Sequence, residues 1–310
     1  MPKGLIPNKQ QVAFPCTYMR GGTSKAIFLH GNDLPEPGPE RDAVLMRMMG
    51  TPDVNEIDGM GGAQLVTSKL AIIDPPSVPN ADVDYTFGQA EILSANIDYK
   101  ANCGNVSSAV APFAIDCGLI KAVAPETVVR IYNTNTKKIL HAHVAIVNGE
   151  VAVQGDCKIA GVPNPGSEIL LDFRDTLGAA TGKCLPTGNI IDTVKLESGK
   201  EVEVTVCDSG NITIMVQADV LGMSCTEPKV ELDANKSLLA MVSEIRGKIA
   251  ERVGLCSSWQ KVDEESPMIP FVAALAKPAS DKEDVKVRLF LLNKCHPALA
   301  GTGSVAVATS

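Results

Sequence analysis

The stretch "NCGNVSS" (102–108) brings together residue types able to move a proton and hold an anion. A cysteine just ahead of a helix's first turn sits in the positive end of the macrodipole, which stabilises its thiolate. The amides of Gly104, Asn105 and Val106 then point outward with no partner inside the helix, and Gly104 lets a ligand approach the backbone. The same spacing also fits a buried cysteine in a tight turn. Near the end of the chain, "GTGS" (301–304) repeats the amide pattern without a thiol. Alone it is an ordinary glycine-rich turn; paired with the first copy, its Thr302, Gly303 and Ser304 form a second candidate anion site.

A tripeptide repeat supplies the lysines. Thr-Ser-Lys occurs at 23–25 in "RGGTSKAIF" and at 67–69 in "GMGGAQLVTSKLAII", each copy after a Gly-Gly pair and before an apolar run. Neither copy is a phosphate-binding P-loop, which needs Gly-Lys-Ser/Thr and wider glycine spacing. In the first copy Arg20, Thr23 and Ser24 offer guanidinium, hydroxyls and amides suited to a carboxylate. In the second, Lys69 opens an otherwise apolar strand. If its side chain points inward, desolvation favours the neutral amine and makes a base available; if outward, it is an ordinary strand-end charge.

Strands must position most of these groups. Residues 128–156 read as three strands with turns at Asn133–Thr136 and Asn148-Gly149, and 201–221 read as a hairpin turning near Asp208–Asn211. Helices are expected over 40–49, over 106–118, and over 235–253 with Asp233 or Asn235 as cap. "AGVPNPGSE" (160–168) is the expected interdomain linker, dividing the chain into 1–165 and 166–310. The two halves echo one another, each placing a glycine-containing turn at the start of a small-residue helix. The echo ends early: only seven residues follow Gly303, which leaves that helix without strands to wrap it and implies a shortened C-terminus.

Composition excludes several functions. Apolar residues make up 45% and the formal net charge is −8, with no basic cluster, which argues against a nucleic-acid partner. No apolar run reaches transmembrane length, so no membrane partner is expected. The nine cysteines form no CxxC pair and no disulfide framework, which points to a reducing, cytoplasmic setting. His141 and His143 alternate along one strand with no third ligand in view, so no metal site is expected.

Five segments together resemble the PrpF family of isomerases: "YMRGGTSKAIFL", "DGMGGAQLVTSKLAII", "NCGNVSSAVAPFAIDCGLI", "GVPNPGSEILLDF" with "TGKCLPTGN", and "HPALAGTGSVAVA". They span most of the chain in order. The resemblance implies an α+β, diaminopimelate-epimerase-like fold of two similar domains, each with strands rolled around a central helix, and an active site between them. It implies cofactor-independent isomerisation of an unsaturated di- or tricarboxylate, of the aconitate, methylaconitate, methylitaconate or oxalomesaconate type. It makes Lys69 and Cys103 the acid/base pair and the small carboxylate the expected partner, with a homodimer left open. Arg20, Thr23, Ser24, Gly104, Asn105, Asn211, Thr302, Gly303 and Ser304 then fall to substrate binding. The chain departs from the family twice. It has Ile212 where members usually carry the proline of Asp-x-x-Asn-Pro. Gly301–Ser304 also lacks the second cysteine of the amino-acid epimerases of this fold, which argues against racemisation by two thiols. An epimerase of the same fold and a non-catalytic carboxylate-binding protein stay open as alternatives.

Overall fold

The computed structural model describes residues 11–310. The chain divides into two compact units: the first holds Asn105–Phe173 together with the described residues up to Tyr99, the second Lys100–Gly104 and Arg174–Ser310.

The first unit contains β1 (Thr17–Gly21), β2 (Ser24–His30), α1 (Pro39–Met49), β3 (Lys69–Asp74), β4 (Val83–Ala90), β5 (Ile97–Asp98) and nearly all of α2 (Gly104–Asp116). It continues with β6 (Glu126–Asn133), β7 (Lys138–Val147), β8 (Glu150–Val151) and β9 (Ile169–Asp172). The strands form one nine-stranded sheet in the order β1-β2-β3-β4-β6-β7-β8, with β5 on β4 and β9 on β7. In β2 and β3 the runs Ala26–Leu29 and Leu70–Ile73 are buried without alternation, because both sheet faces are covered there. Ile27, Leu29, Leu70 and Ile72 pack on Leu45 and Met49 of α1. Phe28 and His30, on the other face, meet Phe113 of α2 at ring-centroid distances of 5.3 and 5.2 Å. Val106, Val110, Ala111 and Ala114 are wholly buried, as a helix apolar on all sides must be. The Pro/Gly-rich 160–168 stretch leads into β9, which pairs with β7, and this unit runs on to Phe173.

The second unit contains β10 (Asp192–Lys195), β11 (Glu201–Ser209), β12 (Asn211–Gln217), α3 (Lys229–Ala234), α4 (Lys236–Arg252), α5 (Val262–Glu265), β13 (Phe271–Ala276), β14 (Lys286–Leu291), β15 (Lys294–Cys295) and α6 (Gly301–Thr309). Its strands form a six-stranded sheet in that order, antiparallel except for the β12–β13 pair. Asn235 caps α4 as expected, its side chain accepting from the Leu238 N–H at 3.1 Å. One expectation fails: α6 is wrapped, by β11, β12 and β13. Those strands precede the helix in the chain and fold back over it, a long-range pairing that a left-to-right reading of the C-terminus misses.

Candidate functional site

In the first unit, the β1–β2 hairpin delivers Arg20, Thr23 and Ser24. Gly21 pairs with Ser24 across a two-residue loop whose first residue, Gly22, has φ +53°. A type II′ hairpin needs glycine at that position. The loop lies directly on Asn105, at the start of α2: any Cβ added at Gly21 or Gly22 would strike Asn105. The Thr23 N–H donates to Asn105 Oδ1 at 3.3 Å. Arg20 is exposed and its guanidinium donates to the Gly22 carbonyl at 2.7 Å. The hydroxyls of Thr23 and Ser24 are buried without a hydrogen-bonding partner among the described residues. An unsatisfied buried hydroxyl costs free energy, so these atoms suit a polar ligand arriving there.

The two Thr-Ser-Lys copies lie on neighbouring parallel strands, one residue out of step. Ala26 pairs with Lys69, which places Lys25 beside Ser68. Side chains alternate along a strand, so a one-residue offset sends the two lysines to opposite faces. Lys25 is exposed, with its ammonium over the Tyr18 ring at 5.3 Å. Lys69 is only 5% exposed and shares its face with Ser24, Ala26 and Phe28, the side that receives α2. Its Nζ stands 5.2 Å from the Phe87 ring centroid, within cation–π range.

Sequence reasoning missed the residues gathered around Ser68 and Lys69. Gln89 lies opposite Lys69, and its Nε2 donates to the carbonyl of Ser68 at 2.9 Å. Glu56, 1% exposed, accepts from the Ala63 N–H at 2.7 Å and from the Ser68 hydroxyl. Phe87, Gln89 and Glu56 come from other segments, and no local spacing marks them.

In the second unit Cys103, 8% exposed, immediately precedes α2, as its spacing suggested. Its neighbour Asn102 is held by Asn211: the Asn102 N–H donates to Asn211 Oδ1 at 3.1 Å, and Asn211 Nδ2 donates to the Asn102 carbonyl at 2.8 Å. The same Nδ2 donates to the Thr302 hydroxyl at 2.9 Å. Both Asn211 N–H groups are thus spent within the protein. Gly104 touches the start of α6, where an added Cβ would come 3.0 Å from the Thr302 amide nitrogen. Gly104 thus lies against the first residues of α6 within the second unit, and a helix's first turn presents amides without intrahelical partners. Ser304 is engaged internally: its amide donates to the Ala300 carbonyl at 2.9 Å and its hydroxyl to the Gly301 carbonyl at 2.7 Å. That leaves the amides of Thr302 and Gly303, rather than Ser304, for an anion. Among the described residues no group of His, Cys, Asp and Glu is arranged to hold a metal, and no helix is long and apolar enough to cross a membrane. His143 pairs instead with Glu126, Nδ1 to Oε1 at 3.0 Å.

Curled sheets around small-residue helices make this an α+β protein of the diaminopimelate-epimerase-like fold, and structural relatives agree. A methylitaconate-delta-isomerase crystal structure superposes with a TM-score of 0.76 at 44% identity, over 94% of this chain and 79% of that one. A hydroxyproline epimerase from Agrobacterium vitis shares the fold at 14% identity, TM-score 0.57, over 95% of this chain and 76% of that one. Among curated proteins, the chain is 44% identical to the 3-methylitaconate isomerase of Eubacterium barkeri, over 95% of this chain and 80% of the relative. It is 40% identical to the 4-oxalomesaconate tautomerase of Pseudomonas putida, over 97% and 80%. The description "PrpF protein" matches residues 11–310, and the chain belongs to the PrpF family.

Proposed function

We propose that the chain isomerises the C=C bond of an unsaturated di- or tricarboxylate of aconitate-like skeleton, without a cofactor, using Lys69 and Cys103 as the acid/base pair. The observation that carries the reading is the inward placement of Lys69, the one Thr-Ser-Lys lysine turned to the α2 side of its sheet. Relatives named for methylitaconate, oxalomesaconate and methylaconitate support the substrate class.

A C–H next to both a C=C and a carboxylate is weakly acidic, so the dienolate left by its removal must be stabilised. Amides at 104–106 and at Thr302 and Gly303 act as the oxyanion donors. One of Lys69 and Cys103 takes the proton, and the other returns one to the allylic carbon or to the same carbon after bond rotation. Arg20 and the unpartnered hydroxyls of Thr23 and Ser24 anchor a remote carboxylate.

The test uses cis-aconitate, trans-aconitate, 2-methylaconitate, 3-methylitaconate and 4-oxalomesaconate in D₂O, followed by NMR. Turnover of one of them with deuterium entering at the allylic carbon supports the reading. Lys69→Met and Cys103→Ser are each expected to lose about 10²–10⁴-fold in turnover, the range of a positioned acid or base. A variant that keeps the wild-type rate removes its residue from the mechanism.

A further inference from the structure

From the Cys184–Cys207 contact we infer an oxidative modification site: these two thiols close to an intramolecular disulfide when a hydroperoxide oxidises the protein. This goes beyond the isomerisation and does not depend on it. Both residues lie in the second unit, with Sγ atoms 3.9 Å apart. The backbone holds them there. The Asp208 N–H donates to the Cys184 carbonyl at 2.8 Å, which lays residue 184 alongside β11. The wholly buried Asp208 carboxylate accepts from the amides of Ala180 and Thr181 at 2.9 and 2.7 Å and from the Thr181 hydroxyl at 2.8 Å. The loop-closure entropy of bringing the thiols together is therefore met by folding. Closing to a bond of about 2.05 Å then needs side-chain rotation and a small backbone adjustment.

The two cysteines differ in access, which orders the steps. Cys184 is partly exposed and Cys207 is buried. Burial, with the Cys184 thiol beside it, pushes the Cys207 thiol up. Cys184 is therefore oxidised first. Its sulfur attacks the peroxide, giving Cys184–SOH and releasing ROH from ROOH. The Cys207 sulfur then displaces hydroxide from Cys184–SOH, and with the thiol proton this leaves as water. Two electrons and two protons pass from the thiols to the peroxide, with no other reactant.

The test treats the full chain with hydrogen peroxide, caps the remaining thiols with N-ethylmaleimide, digests with trypsin without reduction and reads the peptides by mass spectrometry. Cleavage after Lys183 and after Lys200 separates the two cysteines. The expected product is a peptide beginning at Cys184 joined to one beginning at Glu201, two hydrogens lighter than the sum and parted by dithiothreitol. Fragmentation must place the bridge at Cys207 rather than at Cys225 of the same peptide. Cys184→Ser, at a partly exposed site outside the proposed machinery, keeps its activity and forms no such species. The inference is overturned if Cys184 advances to sulfinic acid, or remains capped, while Cys207 is recovered capped and the exposed Cys16 is oxidised.

Discussion

Replacing Asn211 by alanine tests the joint beside Cys103. The side chain is 3% exposed and makes hydrogen bonds of 3.1, 2.8 and 2.9 Å to the Asn102 N–H, the Asn102 carbonyl and the Thr302 hydroxyl. Alanine removes all of them. Each is worth about 1 kcal/mol net, and buried partners that lose a bond push the cost to the upper end of the range, giving about 3–5 kcal/mol in all. For a unit of this size, about 2–4 °C accompanies each kcal/mol, so the melting temperature of Asn211→Ala falls by about 10 °C. Thr302→Val removes one of the same bonds. The double variant is therefore less destabilised than the sum of the singles, by about 0.5–1.5 kcal/mol. The assay is thermal melting and urea unfolding of the wild type and the three variants, alongside turnover. A melting temperature within about 2 °C of wild type for Asn211→Ala, or strict additivity in the cycle, refutes the reasoning from these bonds.

Gly104→Ala crowds the start of α6, and the cost is about 1–3 kcal/mol by unfolding, with a larger relative loss in turnover because the Gly104 and Thr302 amides shift. Lys25→Met keeps wild-type turnover, in contrast to Lys69→Met; equal losses in the two would remove the distinction drawn from strand register. Asp82, which accepts from Arg130 N–H, Nε and Nη2 at 2.8, 3.1 and 2.6 Å, is held below the ordinary carboxylate range by that guanidinium. A depressed folded-state value stabilises above the unfolded pKa and is lost as pH falls. The stability gap between wild type and Asp82→Asn should therefore narrow from about pH 5 downward, as read by thermal melts.

Local chemistry was legible where one segment determines it. Asn148 and Gly149 take φ of 55° and 84°, the positive pair that the Asn-Gly hairpin predicts. The β11–β12 hairpin turns at Gly210, inside the expected window, and α1, α2 and α4 fall within two residues of their expected bounds. The small and apolar residues after Cys103 marked a helix, and the structure buries it, as a helix apolar on every side must be. What stayed hidden depends on pairing between distant segments. The β2–β3 register decides the direction of Lys69, and no spacing within either strand reports it. Asn211 was assigned to the substrate from its motif, whereas its donors close on Asn102 and Thr302, residues separated from it by 109 and 91 positions. Nor did the absence of a CxxC spacing hint that Cys184 and Cys207 would touch.

The one-residue offset between the Thr-Ser-Lys copies has an evolutionary edge. A strand has two faces, so the direction of Lys69 is a matter of odd or even count from the register point at Ala26. Deleting a single residue between Gly62 and Thr67, and letting β3 slide by one, would leave every letter of the tripeptide in place. The amine would nevertheless turn toward the layer of Leu45 and Met49. Length in that loop is under tighter constraint than its spelling, and a descendant with an intact signature but an odd-numbered gap would keep the family's text while losing its inward lysine.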